Sequence, residues 1–118
     1  MAVIDVNNLK LVNDRLGHAV GDDCIVNAAR VLQSVESQKV TAYRYGGDEF
    51  ILLLENYPEP EKLLVRVKEK ICKIRGINRK CLLLLAAGYA QFDENLDQEI
   101  ADTQRRADEQ MYQDKMKI

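Results

Sequence analysis

The sequence of 118 residues has no tryptophan, two prolines, one histidine and few aromatic residues. Its three cysteines, Cys24, Cys72 and Cys81, are odd in number and form no Cys-x-x-Cys pair, which argues against a disulfide framework and a zinc site and predicts reduced thiols in a cytoplasmic protein. The sequence shows no signal peptide and no apolar run of membrane-spanning length. No block of Lys or Arg exceeds two in a row and the net charge is -2, so neither nucleic acid nor a membrane surface is an expected partner.

The composition is that of an ordinary globular domain, with 47% hydrophobic and 31% charged residues. A chain of this length can bury one core but is too short for two. We therefore predict a single domain over residues 1–118, whose partner is a small molecule.

Hydrophobic periodicity predicts elements in the order β-α-α-β-β-α-β-α. The predicted strands are 1–5, 40–45, 50–54 and 81–87. The predicted helices are 6–16, ended by Gly17, then 21–35, 60–76 and about 97–117. Apolar spacing predicts that Ile100, Ala107 and Met111 face the core from the last helix, and that Asp22 lies in the first turn of the second.

The most distinctive segment is Arg-Tyr-Gly-Gly-Asp-Glu-Phe at 44–50, set between two predicted strands. Gly46 and Gly47 predict a tight two-residue hairpin turn with positive φ angles. Asp48 and Glu49 then leave the turn and, as strand neighbours, point to opposite faces. A carboxylate beside bare glycine backbone is well placed to hold a metal ion over the phosphates of a nucleotide. A solvated hairpin turn is the alternative.

The element order contains a β-α-β-β-α-β core, the ferredoxin-like arrangement of an α+β fold. A right-handed crossover from the first strand brings the second strand of the hairpin beside it, antiparallel. Asp5, at the end of the first strand, is therefore expected next to Asp48. Paired carboxylates of this kind hold Mg²⁺ in palm-type nucleotidyl transferases. For Asp5 alone, a helix N-cap is the alternative.

Residues 44–50 resemble the signature of the GGDEF family of diguanylate cyclases, which join two GTP molecules into cyclic di-GMP, and the resemblance covers nearly the whole chain. It implies a palm-type nucleotide cyclase with an antiparallel sheet and flanking helices. It also implies GTP as substrate, Mg²⁺ with Mn²⁺ as an alternative, a homodimer for catalysis, and an upstream sensory or regulatory domain in a parent protein that can itself be membrane-anchored. Family members usually begin earlier and continue to a phosphate-binding arginine, so we expect the chain to be incomplete at both ends and weakly active.

The resemblance assigns the metal to Asp5, Asp48 and the backbone carbonyl of Val6. Asp48 or Glu49 is the implied acceptor of the proton from the 3′-OH group. The implied phosphate-binding residues are Asn8, Leu9, Lys10, Gly46 and Gly47. Asn7 and Leu9 stand where the family more often has aspartate and phenylalanine, and neither side chain is expected to bind the metal.

The spacing N-D-x-x-G-H-x-x-G-D over 13–22 matches the guanine-reading segment of the family, with Asn13 and Asp22 as the pair that contacts the base. A carboxylate can accept from both guanine donors, N1–H and the 2-amino group. A turn asparagine and an acid near a helix start are the alternatives. His18 lies beside the nucleotide by resemblance or has a structural role in the turn. Lys115, in a motif of the last helix, reaches the triphosphate or is a surface lysine.

The sequence thus predicts a diguanylate cyclase domain, and the alternative is a weak or inactive GTP-binding module that regulates a partner domain. Many family members also bind cyclic di-GMP through an Arg-x-x-Asp motif upstream of the hairpin. Ser37 and Val40 stand at those two positions, so we predict that the product does not bind there.

Overall fold

The computed structural model describes residues 1–7, 9–77 and 84–117. The elements in chain order are β1 (Ala2–Asn7), α1 (Leu9–Leu16), α2 (His18–Ser34), β2 (Val40–Arg44), β3 (Glu49–Leu54), α3 (Pro60–Ile77), β4 (Leu84–Tyr89) and α4 (Ile100–Lys115). The strands form one sheet in the order β2-β3-β1-β4, and each neighbouring pair is antiparallel. The predicted α+β fold, an antiparallel sheet with flanking helices, is confirmed.

Strand β1 is central and apolar because helices cover both faces of the sheet. On one face Ile4 packs in the main core with Leu32 of α2 and Leu63 of α3, and all three are almost fully buried. On the other face Val3 packs with Met111 of α4 in a smaller cluster. Alternation along the strand therefore places Asp5 and Asn7 on the side of α4, together with Val3.

Helix α4 lies directly against β4 at Gly88. A Cβ atom there would lie 2.2 Å from the backbone nitrogen of Met111 and 2.4 Å from the carbonyl oxygen of Ala107. Only glycine allows this approach, because the atoms in the way are backbone atoms. Gly88 thus fixes the depth at which α4 sits on the sheet.

The start of α4 differs from the prediction, because Asp97 is a buried hydrogen-bond acceptor in the preceding loop. Its carboxylate accepts from Arg106 Nε at 2.9 Å and from Thr103 Oγ1 at 3.0 Å. The Arg106 guanidinium holds the pKa of Asp97 well below its usual range. The helix begins at Ile100, which is 57% exposed, so the prediction that Ile100 faces the core is wrong. Ala107 and Met111 do face the core, as predicted.

Three other helix limits are also corrected. Strand β1 continues to Asn7, so the predicted helix start at residue 6 is wrong and α1 is described from Leu9. Gly17, with a φ of 90°, turns the chain so sharply that α2 begins at His18 and Asp22 lies in its second turn. Helix α3 passes through Gly76 and ends at Ile77.

Strand β4 is described from Leu84, and residues 81–83 of the predicted strand lie outside the described residues. Over the described ranges, no helix has the length and apolar character needed to cross a membrane.

Candidate active site

The hairpin between β2 and β3 ends in a four-residue loop, 45–48. The N–H groups of Tyr45 and Gly46 both donate to the carbonyl of Glu49, at 2.8 and 3.1 Å. Of the glycines that the structure describes, only Gly17 has a positive φ, so the predicted two-residue left-handed turn is wrong. The longer loop spreads the reversal of direction over more dihedral angles and needs no left-handed residue.

Arg44, the last residue of β2, braces this loop. Its Nε donates to the carbonyl of Gly46 at 3.1 Å and its terminal nitrogen to the carbonyl of Gly47 at 2.8 Å. A Cβ atom on Gly47 would meet nothing within 4 Å, so the tip itself is open. The loop thus presents accessible backbone while Arg44 holds its shape. The sequence analysis included Arg44 in the motif but did not predict that it stabilises the loop.

The register of the sheet brings the predicted carboxylates together. Asp5 of β1 is opposite Glu49 of β3, and the Val6 N–H donates to the carbonyl of Asp48 at 2.8 Å. The predicted proximity of Asp5 and Asp48 is therefore confirmed. The return bond from Asp48 N–H to the Val6 carbonyl does not form between these two described residues. Both polar groups of a strand residue point to the same side, so the Val6 carbonyl points toward the hairpin, as its N–H group does. There it lacks the hydrogen bond that Asp48 N–H would donate.

The site carries an excess of negative charge. Burial, and then the nearby carboxylates of Asp108, Asp5 and Asp48, raise the pKa of Glu49. Asp5 is 14% exposed, and its Oδ2 accepts a hydrogen bond from Lys115 Nζ at 3.1 Å. Its other oxygen, Oδ1, is buried and has no partner in the part of the chain that the structure describes. An additional cation would satisfy this oxygen and relieve the repulsion.

The oxygen atoms at this point are of the kind that could hold a magnesium ion. Asp5, the exposed carboxylate of Asp48 and the Val6 carbonyl are hard donors, which Mg²⁺ prefers. No cluster of three or more Asp, Glu, His or Cys side chains within the described ranges is arranged to enclose a metal. Magnesium sites commonly have only one or two carboxylates and share the ion with substrate phosphates and water.

The proposed guanine-reading residues lie at the junction of α1 and α2. Asn13 lies so close to Gly21 that a Cβ atom on Gly21 would be 1.7 Å from Asn13 Oδ1. This oxygen is buried and has no hydrogen-bond donor among the residues described. Asp22 follows Gly21 and is exposed, and His18 is exposed at the start of α2. A ligand with N–H donors could bind both Asn13 and Asp22.

The predicted site residues thus form two groups, one at the hairpin and the end of β1 and one at the junction of α1 and α2. Of the residues predicted to bind phosphates near the start of α1, Leu9 packs against the core and Lys10 is exposed, whereas Asn8 lies outside the described residues. The hairpin group consists of Asp5, Val6, Gly46, Gly47, Asp48, Glu49 and Lys115. The base-reading group consists of Asn13, His18 and Asp22.

The positions of two further side chains near the site were not predicted, although Asn7 itself belongs to the segment 7–10 in which the resemblance implies phosphate binding. Asp108 acts electrostatically on Glu49, and it precedes Lys115 by two helical turns, a spacing that places both on one face of α4. Asn7 is 7% exposed, and its Oδ1 is buried with no partner among the described residues. The period of two along β1, which sets Asn7 beside Asp5, was the available signal.

Comparison with known proteins gives the family of the chain. Residues 1–117 match the family model described as diguanylate cyclase, GGDEF domain. The chain is 33% identical over 114 residues to a diguanylate cyclase of Vibrio cholerae serotype O1, a match that covers 95% of this chain and 35% of that protein. It is 30% identical over 119 residues to diguanylate cyclase DgcM of Escherichia coli K12, covering 98% of this chain and 28% of that protein. The chain therefore spans about a third of the length of these curated relatives.

Solved structures resemble it over the same extent. The active GGEEF domain of a diguanylate cyclase from Vibrio cholerae superposes with a TM-score of 0.77 at 32% identity, covering 98% of this chain and 75% of that one. The GGDEF domain of DgcB from Caulobacter crescentus, solved in complex with c-di-GMP, gives a TM-score of 0.81 at 25% identity, covering 98% and 70%. Both the sequence and the fold match over almost the full length, and the chain therefore belongs to the GGDEF family of diguanylate cyclase domains.

Proposed function

We propose that this domain condenses two GTP molecules into cyclic di-GMP and two pyrophosphates, with Mg²⁺, or Mn²⁺ in its place, and as a homodimer. The observation that carries the proposal is the convergence of Asp5, Asp48 and Glu49 at neighbouring strand ends, with one buried Asp5 oxygen unsatisfied. Family membership supports the reaction class.

Recognition of guanine is assigned to Asn13 and Asp22. The buried Asn13 oxygen needs a donor, and the exposed Asp22 carboxylate can accept from guanine N1–H and the 2-amino group. Adenine offers no such donor pair, so the same residues select GTP over ATP.

The triphosphate is assigned to the space between the hairpin loop and the first turn of α1. The open backbone of Gly46 and Gly47 and the ammonium groups of Lys10 and Lys115 can bind phosphate oxygens there. Mg²⁺ held by Asp5, Asp48 and the Val6 carbonyl would neutralise charge that develops on the α-phosphate.

Each monomer holds one GTP in this proposal. The 3′-OH oxygen of one GTP forms a bond to the α-phosphorus of the GTP on the other monomer, and the bond from that phosphorus to the bridging oxygen of pyrophosphate breaks. Asp48 or Glu49 accepts the proton of the 3′-OH group. The same step in the opposite direction closes the ring, so one monomer alone can supply only half of the reaction.

The direct test is to incubate the protein with GTP and Mg²⁺ and to separate the nucleotides. Cyclic di-GMP is expected from the unmodified chain, and Asp48→Asn is expected to lower the rate at least ~100-fold, the usual cost of losing a transition-state contact. Glu94→Gln, which removes an exposed carboxylate in the loop before α4, serves as the control. Near-native turnover by folded Asp48→Asn would contradict the role of Asp48.

The alternative function is a weak or inactive GTP-binding module that regulates a partner domain in the cytoplasm. The relatives are about three times as long as this chain, which leaves room for an upstream sensory or regulatory domain. The diguanylate cyclase SiaD of Pseudomonas aeruginosa, 27% identical with a TM-score of 0.81, was solved in complex with its activator SiaC. Retention of GTP without turnover in the same assay would favour this alternative.

A further inference from the structure

Asp114, in the last turn of α4, connects that helix to both α3 and β4. Its Oδ2 atom accepts a hydrogen bond from the backbone N–H of Ala87 at 2.9 Å. The same oxygen forms an ion pair with Lys68 Nζ of α3. The side chains of Asp114 and Lys68 are 24% and 36% exposed. One carboxylate therefore joins three elements at a single point, which we call the Asp114 clamp (Lys68, Asp114 and the Ala87 N–H).

The Ala87 end of the clamp lies on the open edge of the sheet. Within residues 1–7, 9–77 and 84–117, strand β4 pairs only with β1, and the Ala90 N–H donates to the Met1 carbonyl on that side. Because N–H groups alternate in direction along a strand, the Ala87 N–H points to the other side, where the described residues form no further strand. Asp114 therefore accepts the hydrogen bond that a further strand would otherwise accept.

The Asp114 carboxylate of the clamp is ionised at neutral pH. Burial opposes ionisation of Asp114, but the hydrogen bonds from Lys68 and Ala87 and the charges of Lys68 and Lys117 outweigh it. The pKa of Asp114 consequently lies below its ordinary value. A charged carboxylate keeps both of its donors, so the contact is a stable anchor for the end of α4.

Lys115 follows Asp114 in the chain and points to a different side of the helix. Its Nζ donates to Asp5 Oδ2 at 3.1 Å, at the end of β1. The other anchors of α4 are at least one helical turn away, at the close approach of Met111 to Gly88 and at the pair of Arg106 with Asp97. Among the described contacts, the clamp is therefore the tertiary anchor nearest to Lys115.

We propose that Lys68 and Asp114 are positioning residues that fix the last turn of α4 and thereby hold the Lys115 ammonium group at the Asp5 carboxylate. The inference rests on the proposed function in one respect, namely that this is where the GTP phosphates bind. Neither Lys68 nor Asp114 is among the residues proposed to bind GTP. In this proposal, losing the clamp acts on the phosphates through Lys115.

The first test needs no substrate. The acylation rate of each lysine is measured by mass spectrometry on the whole protein without ligand. Lys68→Met and Asp114→Ala are expected to raise the rate at Lys115 about fivefold by loosening its ion pair. Lys68→Arg, which keeps a cation, should restore the slow rate. Lys62→Met, which removes an exposed lysine of the same helix, is the matched control and should change nothing at Lys115. An unchanged Lys115 rate in both clamp variants would overturn the proposal.

The second test is a double-mutant cycle on GTP affinity. Lys68→Met alone is expected to weaken binding about fivefold, and in a Lys115→Met background it should have no further effect. Equal losses in both backgrounds would show that Lys68 acts without Lys115 and would refute the positioning role. If the unmodified protein binds no GTP at all, the proposed function fails, whereas the acylation result still decides the contact between the clamp and Lys115.

Discussion

The Asn13 amide occupies the space that a side chain on Gly21 would fill, so the absence of a Cβ atom at Gly21 allows the amide to lie there. The atom that an alanine Cβ would meet is the end of the Asn13 side chain, which can rotate away. We predict that Gly21→Ala keeps or slightly raises stability, because alanine is better than glycine inside a helix by about 0.5–1 kcal/mol. GTP binding should weaken about tenfold as Asn13 loses its place. Thermal unfolding and calorimetry would check the two effects, and unchanged GTP affinity would contradict the role of Asn13.

Gly88 gives the opposite expectation, because the atoms facing its missing side chain are backbone atoms of α4. Alanine can be accommodated only if α4 moves away from β4. Overpacking of this kind costs about 1–3 kcal/mol and occasionally more, and we expect Gly88→Ala to lie at the upper end. Urea unfolding would measure the loss. A variant as stable as the unmodified chain would mean that α4 can shift on the sheet without cost.

Asp22 offers a test of base selection. Asp22→Ala is expected to weaken GTP binding by about 1–3 kcal/mol, because the donors of guanine lose a charged acceptor. ATP binding should change little, so discrimination between the two nucleotides falls. Asp23→Ala, which removes the next carboxylate along the same exposed turn, is the matched control. Equal losses for GTP and ATP would indicate a general charge effect and not recognition of guanine.

Single residues could be predicted where strand geometry alone decides their position. Asp5 and Asp48 were expected together because an antiparallel hairpin strand beside β1 leaves no other arrangement. The Lys115–Asp5 pair and the influence of Asp108 on Glu49 could not be predicted, because both depend on how α4 packs across the sheet. That packing depends on the close approach at Gly88, and a lone glycine in a strand does not indicate which helix packs against it.

At the scale of elements, the attachment of α4 should depend on pH through Asp114. The pKa of Asp114 is lowered in the folded protein, so the folded state binds fewer protons there than the unfolded state. The contribution of Asp114 is therefore complete above its ordinary pKa of 3.8 and is lost as the pH falls through the lower folded value. We predict that the stability difference between the unmodified chain and Asp114→Asn is largest at neutral pH and shrinks below about pH 4. Urea unfolding at several pH values would measure it, and a difference that grows on acidification would contradict this sign.

The errors at the starts of α2 and α4 show which local sequence signals for helix ends are misleading. The acids at 22 and 23 suggested a helix start, but the positive φ of Gly17 already ends α1 and allows α2 to begin at once. Asp97 also resembled a helix start, although its carboxylate is used by Arg106 and Thr103 from within α4. At Asp97, a residue typical of helix ends serves a tertiary contact instead. The existence and order of the elements were nonetheless predicted correctly, because they depend on apolar periodicity.

At the scale of the whole molecule, the surface that many family members use to bind their product can be compared with the fold. Ser37 forms a bridge with Val40, the first residue of β2, with hydrogen bonds of 3.0 and 3.3 Å between their backbones. The Val40 side chain is 1% exposed and belongs to the main core. It cannot present an acceptor to guanine, and Ser37 has no charge for a phosphate. Lys39, between them in the chain, is a point charge without the planar fork of arginine.

We therefore predict that cyclic di-GMP does not bind at Ser37–Val40 and does not inhibit the proposed cyclase activity from there. Calorimetric titration with cyclic di-GMP in the absence of GTP should show no binding attributable to this surface. Asp22→Ala is the informative background, because it weakens any binding of the product in the base-reading group itself. Binding in the micromolar range that survives Asp22→Ala and disappears in Lys39→Met would prove the prediction wrong. Ser37→Arg combined with Lys39→Met should still bind nothing, because the buried Val40 leaves the guanine without an acceptor.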